Sequence, residues 1–297
     1  MAEYPGYFLR FVRASQHLEA IDTELKRFAS ADLDHTVDHI GGPHGQQWAV
    51  ARWSRVGNLD PMLGVWLGEM VHNLRACLDY VVYDLIAEQG ERTGNFTKFP
   101  IYQDRKDWVL DVERRRHFWQ RAKGPSPIRG ITGDDLTHIE AAQPYHTRPR
   151  DRSRHPLRLL LTSSNIDKHR TLHAVVLNVR DPAMVELDPP DLLRAFSFKF
   201  PPRRTEVKQA TEIVRFQYRR VVPTAMDPDV QMRLRQNIDL AFGPPGKPAT
   251  GTLAELSDAL QYVRVLVSAL RPHAYKLMYP GRKRMFFSPG DLVRLGA

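Results

Sequence analysis

Cysteine is almost missing from this sequence. Cys77 stands alone, which rules out an intrachain disulfide and a structural zinc site built on cysteines. Its place on an apolar helical face makes it a core residue rather than a nucleophile. No apolar run approaches the roughly 18 residues of a membrane span, so no membrane partner is expected. The first residues, MAEYPGYFLRFVR, lack the basic-then-apolar pattern of a leader, and a cytoplasmic location is the expectation. Lysine is scarce as well, with 10 against 33 arginines. The signatures H-E-x-x-H, G-x-x-x-x-G-K, G-x-G-x-x-G and G-x-S-x-G are all absent, and no internal repeat or low-complexity segment is found.

What is present is ordinary in amount. Hydrophobic residues make up 42% and charged residues 26% of 297, so a folded protein with a substantial core is expected, not a disordered one. The formal net charge is +9. Such a balance suits RNA, DNA or another polyanion held through its phosphates. An arginine-rich composition alone would give the same excess.

The longest patterned stretch is 60–89, DPMLGVWLGEMVHNLRACLDYVVYDLIAEQ. At 100° per residue, Leu67, Met70, Val71, Leu74, Cys77, Leu78, Val81, Val82 and Leu85 share one broad face, the pattern of a helix packed in a core. Asp60 or Asn58 is placed to cap it, with Pro61 in its first turn. His72, Arg75 and Asp79 fall on an adjoining flank, within roughly 60° of one another, together with Gly68. Arg75 and Asp79 fit a solvated i,i+4 pair worth about 0.2–0.5 kcal/mol. They also fit a partly buried network that aims His72 at a ligand.

A second polar group lies at Asn165, Asp167, Lys168, His169 and Arg170, with His173 four residues beyond His169. Asn-x-Asp suits an Asx turn and Lys-His-Arg suits phosphate. Joined to His72 and Asp79, this group would hold a divalent metal. Alternatively it would supply a histidine acid/base and an arginine to a phosphodiester. The candidate catalytic set is His72, Arg75, Asp79, Asp167, His169 and Arg170. Metal and cofactor stay open.

Around these groups the pattern predicts a helix over 6–29, a hairpin with strands 34–40 and 47–53, an extended FPIY at 99–102, and a charged helix over 104–122. ERRRHFWQR (113–121) is the densest basic stretch with interleaved aromatics. A short helix is expected at 134–142, then an exposed Arg/Pro-rich loop at 146–156 that suits a linker. Strands are expected at 174–179, 195–200, 212–220 and 232–242. A helix should follow from the T-x-x-E capping box of Thr252 and Glu255 to Pro272. The fold class is therefore α+β: a long central helix in a helical N-terminal half, packed with a mainly antiparallel sheet from the C-terminal half, which the hairpin may extend. One compact domain and two regions, 1–150 and 151–297, both fit.

The pairing of HNLRACLDYVVYDL (72–85) with NIDKHR (165–170), with FPIY and QPY between, resembles a widespread group of bacterial, actinobacterial-type proteins. Many of these carry histidine where this chain has Tyr80. An arginine, four residues and a histidine is similar to the signature of HEPN ribonucleases. That resemblance implies a helical bundle, usually a dimer, whose arginine and histidine cut RNA without metal. Arg75 matches the arginine and Tyr80 departs from the histidine. Three functions follow: a nuclease or other phosphodiester-acting enzyme, a non-catalytic RNA- or DNA-binding protein, and a structural or assembly protein with a buried polar network.

Overall fold

The computed structural model describes residues 4–41, 47–113, 126–168, 172–178, 185–188, 193–200, 205–220, 231–234, 238–280 and 287–296. The fold is α+β. The chain forms two compact units, each built from separate stretches. The first comprises Met1–Ile21, Gly64–His173 and Phe242–Ala297; the second comprises Asp22–Leu63 and Ala174–Ala241. Residues 150 and 151 both lie in the first unit.

The first unit is helical. Helix α1 (Gly6–Ala31) begins in it and α2 (Met62–Glu88) runs through it. The inward seam of α1 is Tyr7, Phe11, Ala14, Ile21, Leu25 and Phe28, while Phe8 and Leu18 are only half-buried. On α2, all nine residues of the expected apolar face are buried, and Leu63 and Ile86 extend it. The Asp60 carboxylate accepts the Met62 amide at 2.8 Å and starts the helix. At 27 residues α2 spans about 40 Å, and it forms because so wide an apolar arc can only be satisfied by packing.

The expected helix over 104–122 is shorter and changes form. It is α3 (Arg105–Trp108) followed by a π-helical turn, Val109–Glu113, and both Trp108 and Val112 are buried. Most of the basic stretch 113–121 lies outside the described residues. Helices α4 (Gly133–Ala141) and α5 (Pro156–Asp167) follow. The segment 146–156 is no linker. It lies within the first unit, and Arg152 donates to the carbonyls of Tyr145 and Thr147, which folds it back on itself.

The second unit carries most of the strands. β1 (Leu33–Gly41) and β2 (Gln47–Val56) form the expected hairpin. β3 (His173–Asn178), β4 (Val185–Asp188), β5 (Leu193–Lys199), β6 (Thr205–Glu206) and β7 (Glu212–Arg220) follow. The hairpin does extend the C-terminal strands. The main sheet runs β1-β2-β7-β5 with antiparallel neighbours. Ala49, Val50 and Ala51 are all fully buried, so β2 is covered on both faces. Phe198 and Phe216 stand opposite each other, rings 6.0 Å apart.

The single strand expected over 232–242 is two. β8 (Gln231–Leu234) pairs with β4, whereas β9 (Ile238–Gly243) lies beside β3. The chain changes sheets between them, so one alternating pattern serves two pairings. β10 (Gly251–Thr252) leads into α6 (Leu253–Leu270), which opens on the expected capping box of Thr252 and Glu255. Helices α7 (Tyr275–Met278) and α8 (Pro289–Leu295) complete the chain. Among the described residues no helix is long and apolar enough to cross a membrane.

His155 starts α5 and ties the first unit's last turn to it. Its Nδ1 accepts the Leu157 amide at 3.2 Å and its ring is 2% exposed. Burial, helped by His146, pushes its imidazole from the ordinary value of 6.5 down to about 4. The unfolded chain therefore takes up this proton first as the pH falls. The stability held by the neutral ring is complete above pH 6.5 and is lost towards pH 4, a loss of about 3 kcal/mol. Urea unfolding at a series of pH values should show this fall. His155→Gln should begin about 1 kcal/mol less stable from the lost cap and should respond less steeply to acid. Parallel pH profiles for the two proteins would refute the assignment.

Candidate functional site

Two segments about 95 positions apart in sequence meet on the flank of α2. Asp167 ends α5, and its carboxylate lies over Gly68: a Cβ at position 68 would overlap Asp167 Oδ1. Glycine in mid-helix costs up to about 1 kcal/mol, and here it makes the room that this approach needs. His72, one turn along and exposed, lies within electrostatic reach of Asp167. Burial raises the Asp167 carboxyl above the ordinary carboxylate value. His72 pulls it back and Glu69 pushes it further up. Glu69 in turn contacts the buried His17 Nε2 at 2.9 Å. Burial drives the His17 imidazole downward, against the pull of Glu69.

Arg75 and Asp79 do different work. Their side chains approach to 3.4 Å, and together they hold one backbone residue of the 99–102 segment. Arg75 Nη2 donates to the Phe99 carbonyl and Asp79 Oδ1 accepts the Phe99 amide at 2.8 Å. The pair is thus partly buried, as the second of its two sequence readings has it, but its target is main chain and not His72. Burial raises the Asp79 carboxyl. Arg75, the Phe99 amide, Lys98 and Lys168 restrain that rise. Burial also lowers the Arg75 guanidinium, with Asp79 resisting.

The other end of 99–102 is held by Gln143, which is fully buried. Its Oε1 accepts the Tyr102 amide at 2.9 Å, and its Nε2 donates to the carbonyls of Pro100 and Ile139. Three side chains therefore hold a stretch of backbone that has no strand partner among the described residues.

Of the six candidate residues, Asp167 lies over Gly68 one helical turn from the exposed His72, and Arg75 and Asp79 clamp Phe99. His169 and Arg170 lie outside the described residues, one and two positions after Lys168. Asn165 belongs to the last turn of α5, so the expected Asx turn is replaced by helix. Tyr80 faces away from Arg75's partner. It lies against Gly6 with the Arg10 guanidinium 5.6 Å from its ring centre, and Arg10 also donates to Asn73. Among the described residues no group of three or more His, Cys, Asp or Glu is arranged to hold a metal ion.

Sequence reasoning missed a second polar network in the same unit. Arg271, at the end of α6, grips Glu88 at the end of α2 through both terminal nitrogens, at 2.6 and 2.5 Å. The Tyr7 hydroxyl lies 3.3 Å from His273 Nε2. Burial raises the Tyr7 phenol, and Arg271 offsets part of the rise. Arg271 and His273 also oppose the upward shift that burial gives Asp84. Only the clustering of Arg271 and His273 around Pro272 hints at this network in the sequence. Comparison with protein-family models, with curated proteins and with solved structures gives no match.

The clamp yields a stability test. Arg75→Ala strands a partly buried carboxylate and a main-chain carbonyl and should cost about 3–5 kcal/mol. Asp79→Asn keeps an acceptor for the Phe99 amide and should cost less. Without Arg75, the folded Asp79 carboxyl rises further above its unfolded value. Its contribution is then full below pH 3.8 and is lost as the pH rises through the higher folded value. The destabilisation should therefore be smaller in acid. A chemical-denaturation series giving Arg75→Ala the same stability as wild type would remove the clamp from the account.

Proposed function

We propose that this protein acts on the phosphodiesters of RNA or single-stranded DNA, at the flank of α2. The observation that carries this reading is the Asp167 carboxylate lying over Gly68, one helical turn from the exposed His72. An exposed imidazole with a carboxylate in electrostatic reach is a group that could move a proton to or from a substrate oxygen. Lys168 and Lys98, both within electrostatic reach of Asp79, supply cations for the flanking phosphates. The chain's net charge of +9 favours approach of a polyanion. In this reading His72 moves the proton and Asp167 supplies a nearby negative charge. Arg75 and Asp79 are positioning residues, acting through Phe99. His169 and Arg170 continue the chain from Lys168.

A second reading is favoured by the clamp itself. Arg75, Asp79 and Gln143 all spend their polar atoms on residues 99–102, as expected of a structural protein whose polar network holds its fold.

End-labelled RNA and single-stranded DNA, incubated with the protein in magnesium, in manganese and in chelator, separate these readings. Wild type should cleave at least one substrate. His72→Ala, at an exposed position where stability should change by no more than about 0.5 kcal/mol, should lose about 100-fold or more of the rate. Asp167→Asn should lose less and shift the pH profile. Equal cleavage by His72→Ala would overturn the assignment of His72. Binding without cleavage that weakens steeply with salt would transfer the site to a nucleic-acid-binding protein. Neither binding nor cleavage would leave the structural reading.

A further inference from the structure

A cavity of about 310 Å³ opens in the first unit between the start of α5, one stripe of α6 and the end of α8. It is at the lower end of the size range of small-molecule sites. It stands apart from the α2 flank, and its lining is of a different kind. The apolar part is Pro156, Tyr262, Val265 and Leu295; the charged part is Asp151, Glu255 and Asp258 against Arg154.

The walls are fixed before any ligand arrives. The Tyr262 hydroxyl donates to the Ala142 carbonyl at 3.2 Å, and the ring meets His155 edge-on at 5.3 Å between centres. Gly296 closes one side. A Cβ there would overlap the His155 imidazole, and the Gly296 carbonyl accepts from Thr147 Oγ1 at 3.1 Å.

Two of the four charges already have partners. Asp151 accepts from Arg150 at 3.3 Å, and Glu255 accepts the Thr252 amide in the capping box. The other two, Asp258 and Arg154, make no ion pair among the described residues, either with others or with each other. Both are exposed. One cavity thus presents an unmatched carboxylate and an unmatched guanidinium, held apart, above an apolar floor.

We propose that this cavity binds a small zwitterion, a molecule with an ammonium group and a carboxylate separated by a short apolar frame. The ammonium meets Asp258 and the carboxylate meets Arg154, each by a charge-assisted hydrogen bond. The frame lies on Tyr262, Val265 and Leu295. Three carboxylates against one guanidinium leave the lining net negative. That balance rejects dianions and nucleic acid despite the chain's positive total, so the site takes a ligand of its own.

The test is calorimetric titration of the full chain with 6-aminohexanoate and 4-aminobutyrate. Hexylamine and hexanoate serve as single-charge controls. At least one zwitterion should bind, more tightly than either control. Asp258→Asn and Arg154→Gln should each weaken it about tenfold. Both residues are exposed and unpaired, so neither change threatens the fold, and an unchanged melting temperature without ligand verifies this. Val265→Trp, which fills the floor, should abolish binding. No heat from either zwitterion at millimolar concentration would overturn the proposal. So would binding that survives in the Asp258→Asn/Arg154→Gln double variant, or hexylamine binding as tightly as 6-aminohexanoate.

Discussion

The first unit depends on an exchange between side chain and main chain at Phe99. An isolated extended segment has backbone donors and acceptors that must be satisfied once it is buried. Among the described residues no strand lies beside 99–102 to do this. Arg75 and Asp79, one turn apart on α2, offer a donor and an acceptor at the spacing of one peptide unit and take both polar groups of Phe99. Gln143 does the same for Pro100 and Tyr102. An ion pair that would be worth little on a surface becomes costly to break here, because each partner also carries a backbone bond.

That arrangement divides the flank of α2 into two parts. The half with Arg75 and Asp79 is committed to holding backbone. The half with Gly68 and His72 faces Asp167 and remains open to solvent at the imidazole. The two parts are connected through Lys168, which follows Asp167 and lies within reach of Asp79. A side chain held in a fixed place needs a rigid support, and the clamp supplies one to this helix. The helix that presents His72 is fixed a turn further on by its bonds to Phe99.

What the sequence made legible was whatever repeats at a helical or strand period or uses a known local device. The apolar face of α2, the first hairpin and the Thr252–Glu255 capping box are of this kind, and each is found where its pattern places it. The Phe99 clamp was not legible, because a backbone partner leaves no trace in side-chain type. The different sheet partners of β8 and β9 were not legible either, since alternation fixes a strand's faces but not which strand it pairs with. The interleaving of the two units escaped for the same reason: it rests on contacts between distant stretches, not on composition near residue 150. His72 and Asp167 were legible as separate polar groups. The approach of Asp167 to α2 was signalled only by Gly68, a mid-helix glycine that pattern reading could register merely as a space.

Gly68 and Gly296 show one device put to opposite uses. At each, the absence of a Cβ lets an ionisable side chain press against the backbone: Asp167 at one, His155 at the other. At Gly296 the imidazole is sealed, its Nδ1 taken by the Leu157 amide and its basicity driven down by burial. Such a ring can hold a helix start but cannot exchange protons with a substrate it never meets. At Gly68 the approach leaves the neighbouring His72 exposed, beside a carboxylate whose burial keeps it from being fully satisfied by water. Proton transfer needs both access and an orienting charge. Of these two histidines only His72 is open to solvent with a carboxylate in electrostatic reach, and that difference in environment, not residue type, is what separates them.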